Sequence, residues 1–252
     1  MSLLEIDELS KAFRGVQAVD GATFSVESGE LVGLIGPNGA GKTTTFDLVS
    51  GHLSPDSGTV RLAGEDVTDA EPHALARQGL VRTFQQSREL TTMTVRENVA
   101  LGDPDNPGER APVAVFRERA VADHEAEVSE RVERLLDIFE LTEVADDYAA
   151  TLSGGQRKLL EVARALMLDP NLLLLDEPFA GVNPTLQKRI VEHVRRLHAE
   201  EGRAFLIIEH EIETLAGLVE RIIVLDQGSV LTTGTPEEVL SDERVIDAYL
   251  GG

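Results

Sequence analysis

Short unbroken apolar runs, separated by stretches of helical periodicity, set the pattern of this chain. Leu31 to Ile35, Leu172 to Leu175, Phe205 to Ile208 and Ile222 to Leu225 are such runs. They read as strands buried on both faces, the signature of a sheet covered by helices. Leu3 to Ile6, Ala22 to Val26 and Thr59 to Leu62 read as further strands, with turns at Gly15, Gly21, Gly29 and Ser54 to Gly58, so a small β layer precedes the first buried run. Val81 to Gln85 reads as one more strand, ending in a polar amide. Thr43 to Val49 opens a helix and Pro72 to Gln78 forms a short one. Val128, Val132, Leu135, Leu136 and Phe139 share one face of another, and Leu159, Leu160, Ala163, Leu166 and Met167 line the inner face of the next. Thr235-Pro236-Glu237-Glu238 starts a C-terminal helix with a cap, an N1 proline and an acidic first turn. Gly102 to Pro112, rich in Pro, Gly, Asp and Asn, reads as a mobile loop. The pattern predicts an α/β fold.

Candidate chemistry collects where the buried runs end, which is where open α/β sheets bind ligands. Gly36-Pro37-Asn38-Gly39-Ala40-Gly41-Lys42-Thr43 lies between the first run and a helix, the context that a phosphate-cradling P-loop requires. Its glycines let backbone N–H groups face phosphate oxygens, and the helix N-terminus adds partial positive charge. Lys42 can bridge the outer phosphates, and Thr43 can offer its hydroxyl to Mg²⁺. Asp176 and Glu177 close the second run; the first suits outer-sphere Mg²⁺ binding and the second suits polarising a water. His210, after the third run, is a candidate γ-phosphate contact, and Gln85 can reach a metal ion or an attacking water. Phe13 can present its ring to an adenine base. Ser153 and Gln156 form a capping box, yet Gly154 and Gly155 in the same first turn cost helix stability unless something approaches the backbone closely. An anion at that N-terminus is the economical explanation.

Composition narrows the function classes. With 45 acids against 23 bases, the formal charge is −22, which excludes the basic footprint of non-specific nucleic-acid binding. The excess of acids, with lysine only at positions 11, 42, 158 and 188, predicts a protein adapted to a concentrated-salt, halophilic cytoplasm. Cysteine is absent, so disulfides, thiolate metal sites and cysteine nucleophiles are ruled out. The six histidines show no paired ligand spacing, so the metal expected is Mg²⁺ carried with a nucleotide. No apolar run approaches the roughly 18–20 residues that cross a bilayer, and a cytoplasmic location is expected.

The P-loop, the Ser153-Gly154-Gly155-Gln156 helix, the aliphatic run ending in Asp176-Glu177 and the strand ending at His210 occur here in one order. Together they closely resemble the nucleotide-binding subunit of an ABC transporter, over essentially the whole chain. The resemblance assigns Gly36 to Thr43, with the adjoining Thr44, to the Walker A loop, and Gln85 to the Q-loop. It assigns Ser153 to Gln156 to the signature, Asp176 to Walker B, Glu177 to the catalytic glutamate, His210 to the switch histidine and Phe13 to the aromatic position beside adenine. Val81-Arg82-Thr83-Phe84-Gln85, Gly181-Val182-Asn183-Pro184, Ile207-Ile208-Glu209-His210-Glu211 and Val245-Ile246-Asp247-Ala248-Tyr249-Leu250-Gly251 are similar to the ATPases of branched-chain amino-acid importers. Asn183 departs from the aspartate usual in the D-loop of ABC ATPases generally.

The resemblance implies a RecA-like P-loop NTPase core with an N-terminal antiparallel β subdomain, over about 1–85 and 168–252, and an inserted α-helical subdomain over about 86–167. It implies ATP and Mg²⁺ as cofactors and a head-to-tail pair of ATPase subunits, identical or related, each lending its signature to the other's nucleotide. Integral-membrane permeases are the implied partners and an extracellular solute-binding protein an indirect one, with the chain peripheral on the inner face of the membrane. The same motor could serve a permease for urea, another amide or a lipid, or belong to a soluble non-transport ABC ATPase. No heptad run or second P-loop favours the last, and no Asn-Lys-x-Asp motif favours a GTPase.

Overall fold

The computed structural model describes residues 2–83, 90–103 and 118–250, with the backbone alone for 118–121 and 250. The chain forms two compact units. One comprises Met1–Gln85, Pro170–Ala180 and Gln187–Gly252, and the other Gln86–Asp169 with Gly181–Leu186.

Both sheets belong to the first unit. The larger has the strand order β10-β9-β3-β8-β7-β6: β10 (Ser229–Gly234), β9 (Arg221–Asp226), β3 (Leu31–Ile35), β8 (Ala204–Ile208), β7 (Leu172–Asp176) and β6 (Leu80–Arg82). All neighbours are parallel except β9 and β10. Every residue of β3, β7 and β8 is buried, as the unbroken apolar runs require of central strands. Because the pairs run parallel, the carboxyl ends of β3, β8 and β7 share one edge, and the P-loop, Glu209-His210 and Asp176-Glu177 emerge there. The helices of this unit include α1 (Lys42–Val49) and α2 (Pro72–Arg77).

The smaller sheet is antiparallel, in the order β2-β1-β4-β5: β2 (Val16–Glu27), β1 (Ser2–Phe13), β4 (Ser57–Leu62) and β5 (Glu65–Asp66). Here the expectation of short strands separated by a turn at Gly21 is corrected. β1 and β2 are 12 residues each, joined by a two-residue turn whose Arg14 and Gly15 both have positive φ. Gly21 (φ 63) lies inside β2, opposite register shifts in β1. Side-chain oxygens replace ladder partners at these bulges: Ser10 Oγ accepts the Gly21 N–H at 2.9 Å, and Thr23 Oγ1 accepts the Glu8 N–H at 2.9 Å. The expected strand from Val81 to Gln85 is also shorter, ending at Arg82; Thr83 adds one ladder-like bond to Leu174 O at 3.0 Å. Gln85, and residues 104–112 of the expected mobile loop, lie outside the described residues.

The second unit is helical: α3 (Val95–Ala100), α4 (Glu118–Ile138), α5 (Gly154–Met167) and the start of α6 (Pro184–Glu201), which continues into the first unit. Val132, Leu135, Leu136 and Phe139 are buried, as are Leu159, Leu160, Ala163, Leu166 and Met167, so the two amphipathic faces form this unit's core. The remaining helices, in the first unit, are α7 (Ile212–Ala216), α8 (Pro236–Ser241) and α9 (Glu243–Leu250). Among the described residues no helix is long and apolar enough to cross a membrane.

Candidate active site

The loop from Gly36 to Thr43 is shaped by close backbone approaches. A Cβ on Gly36 would lie 2.1 Å from Leu225 O, and one on Gly41 (φ 96) would lie 2.3 Å from Ala18 O, so only glycine fits either place. Ala40 is buried and accepts the Gly228 N–H at 3.1 Å, tying the loop to the β9–β10 turn. Pro37 is half-buried, whereas Asn38 and Gly39 are exposed, as is Thr43 in the first turn of α1, with Thr44 half-buried beside it. No side chain caps α1, since its N-cap is Gly41. The N–H groups of a first turn have no partner within their helix. Lys42 is buried with 7% exposure, and its Nζ donates to Gly36 O at 2.7 Å and Pro37 O at 3.0 Å. Burial lowers its pKa, against the opposing pull of the Glu177 carboxylate, so the loop holds a dehydrated cation facing an acid.

At the ends of β7 and β8, Glu177 meets His210, the expected γ-phosphate contact. Glu177 takes a left-handed backbone (φ 50), costly for a residue with a Cβ. Its N–H donates to Ile208 O at 3.0 Å. Its side-chain Oε1 lies 3.0 Å from His210 Nε2. A carboxylate can only accept, so this contact requires the Nε2–H form of the imidazole or the imidazolium. Asp176, 3% exposed, is held by Arg82, whose two terminal nitrogens reach Asp176 Oδ2 at 2.7 Å and Asp47 Oδ1 of α1 at 2.6 Å. Arg82 also lies over the Phe46 ring, 5.5 Å from its centroid.

Phe13 ends β1 with 42% of its surface exposed, and the Lys11 ammonium sits 5.9 Å from its ring centroid. Asp56 fixes this corner, accepting from Lys11 Nζ and Ala12 N at 2.8 Å each.

In the helical unit Ser153 and Gln156 cap α5 reciprocally. Ser153 Oγ accepts the Gln156 N–H at 3.3 Å, and Gln156 Oε1 accepts the Ser153 N–H at 3.0 Å. Ser153 and Gly154 are exposed, and a Cβ on Gly154 would meet open space. Gly155 is different: a Cβ there would lie 2.3 Å from Leu186 Cδ2, the movable end of a side chain of the same unit. Asn183 accepts the Leu186 N–H at 3.0 Å, an N-cap bond at the start of α6.

Among the described residues no three His, Cys, Asp or Glu side chains form a metal cluster. Among the described residues, the oxygen donors the sequence singled out for a metal are the Thr43 hydroxyl and the Asp176 carboxylate, one of whose oxygens Arg82 already occupies. So sparse and hard a donor set fits Mg²⁺, which keeps several waters and completes its shell with substrate phosphates. The sequence reading missed two residues that tie this region together, Arg82 and Glu209. Each carried a signal: Arg82 is a charge in an otherwise apolar run, and Glu209 is a carboxylate directly after a fully buried strand.

Comparison with known proteins places this geometry. The family model described as "ABC transporter" matches residues 19–180, and one described as "Branched-chain amino acid ATP-binding cassette transporter" matches residues 229–252. The chain is 41% identical over 251 residues to a probable branched-chain amino acid transport ATP-binding protein, LivG, of Archaeoglobus fulgidus, covering 100% of this chain and 96% of that protein. It is 37% identical to the lipopolysaccharide export system ATP-binding protein LptB of Escherichia coli, covering 100% and 98% respectively. A solved nucleotide-free ATP-binding cassette from an ABC transporter superposes with a TM-score of 0.86 at 37% identity, covering 100% of both chains. With the family model spanning more than half of the chain and these relatives covering all of it, the chain belongs to the ABC transporter family as one of its ATP-binding cassette ATPases.

Proposed function

We propose that this ATPase powers import of branched-chain amino acids through a membrane permease. The 3.0 Å pairing of Glu177 with His210, at the sheet edge that also carries the Lys42 loop, carries the hydrolytic reading. Gly36 to Thr44 hold the phosphates, Lys42 neutralises their charge and Phe13 stacks on the base. Glu177 orients and polarises the attacking water, while His210 holds Glu177 in place and contacts the γ-phosphate. Thr43, Asp176 and Gln85 would hold Mg²⁺, which would spread the phosphate charge. Ser153, Gly154, Gly155 and Gln156 of the partner subunit complete the site. The chain acts as one nucleotide-binding domain, with the signature on its helical subdomain at about 86–167, and docks peripherally on permease subunits at the inner face of the membrane.

The amino-acid assignment is supported by the match over residues 229–252 and by the LivG relative. The LptB relative supports a second reading, a lipid exporter. Two measurements test the proposal. Glu177→Gln is expected to bind ATP with unchanged affinity while turnover falls by at least about 100-fold and ATP-bound dimers accumulate on size exclusion. Cells lacking the gene are expected to lose uptake of labelled leucine, isoleucine and valine; intact uptake with a lipid defect would favour the second reading.

A further inference from the structure

Glu209 takes no part in the chemistry above, yet it is the most deeply enclosed acid at the site's edge, 2% exposed. Burying a carboxylate is costly unless its oxygens are satisfied. Here they are: Oε1 accepts the Phe179 N–H at 2.6 Å and Oε2 the His210 N–H at 3.0 Å. The Glu211 N–H also bonds to it. Burial raises its pKa against the pull of these three donors. Phe179 is two residues past Glu177 and is itself fully buried, so its N–H moves only with the turn that sets the left-handed Glu177. His210 is the partner of Glu177. One planar group therefore grips the loop after β7 with one oxygen and the loop after β8 with the other.

We propose that Glu209 is a positioning residue for hydrolysis: its carboxylate fixes the separation and register of Glu177 and His210 by clamping the Phe179 and His210 N–H groups on its two oxygens. The proposal rests on the reading of Glu177 and His210 as the hydrolytic pair. An amide is the informative replacement, because it keeps the shape but offers a single acceptor oxygen and turns an NH₂ toward one of the N–H donors. Either loop is then released by a fraction of an ångström, enough to matter for a water held in line.

The test measures turnover, KM for ATP and thermal midpoint for E209Q, H210A and E209Q/H210A, with E177Q alongside. We expect E209Q to lower kcat at least about tenfold with KM within about twofold, and the double variant to lose clearly less than the product of the single losses. An E209Q kcat within about twofold of the unmodified protein, a loss confined to the thermal midpoint, or multiplicative losses in the double variant would each overturn the proposal. If E209Q does not fold, E209D carries the same test, since it keeps the charge but is one methylene too short to reach both loops; lowered kcat supports the clamp and full kcat overturns it. Normal turnover in E177Q would instead sink the hydrolytic reading on which the proposal stands.

Discussion

Two helix N-termini in this protein solve the same problem in opposite ways. The first turn of any helix leaves N–H groups without intrahelical partners. At α5 the chain satisfies two of them itself, the Ser153 and Gln156 N–H groups, through the reciprocal bonds of those two residues. At α1 it places Gly41, which has no side chain to offer, and bends the preceding loop back so that Lys42 is held on the loop's own carbonyls. A terminus that caps itself is stable without a ligand, whereas one left uncapped beside a buried cation is suited to phosphate. The two glycine pairs differ in the same sense. Gly36 and Gly41 are dictated by neighbouring backbone, whereas a Cβ on Gly155 would meet only the movable end of Leu186 and one on Gly154 would meet nothing within 4 Å.

Disrupting the α1 end should have the largest effect. Gly41→Ala puts a methyl group 2.3 Å from Ala18 O at a φ of 96, and is expected to weaken ATP binding by the isolated subunit at least about 100-fold, read by fluorescent-nucleotide titration. Retained affinity would mean that the loop's shape is not what binds phosphate. At the α5 end, the proposed pairing of two copies predicts that Ser153→Arg leaves that affinity within about twofold yet weakens ATP-driven dimerisation more than about tenfold. Loss of affinity in the monomer would show that this terminus acts in its own chain.

Salt should separate the ends next. The charge of −22 opposes the arrival of ATP and repels itself, and the Debye length falls from about 10 Å at 0.1 M to about 3 Å at 1 M. Turnover and thermal midpoint are both expected to rise well beyond physiological KCl, with sucrose as the non-ionic control. Full stability and activity at about 0.1 M KCl would remove the halophilic reading. Smallest of all in its effect on the fold, Ser153→Ala removes the α5 cap and is expected to cost about 1 kcal/mol of stability, visible in the thermal midpoint.

How much of this was legible depends on the range of the interaction. β3, β7 and the α5 capping box were readable because each depends on residues within a few positions of one another, through burial on both faces or a bond from Ser153 to Gln156. The length of β1 and β2 was hidden, since Gly21, which reads as a turn signal, sits inside β2 at bulges where the Ser10 and Thr23 hydroxyls supply the acceptor oxygens. Arg82 and Glu209 were singled out for no role because their partners are far along the chain: Asp47 and Asp176 for one, Phe179 for the other. The contact of Gly155 with Leu186, 31 positions along the chain, belongs to the same class.

The central place of β3 also has a cost in time. Its two neighbours are β8 and β9, pairing at Leu31 with Phe205 and at Val32 with Arg221, so the strand leading into the P-loop finds its first partner about 170 residues later in synthesis. At about 5–20 residues per second a ribosome takes on the order of ten to thirty seconds to cover that distance. The antiparallel sheet need not wait, since β1, β2 and β4 all lie within the first 62 residues. Each nascent chain thus carries a finished β layer and a bare aliphatic strand side by side, and the interval before β8 emerges is when a chaperone has the most to shield.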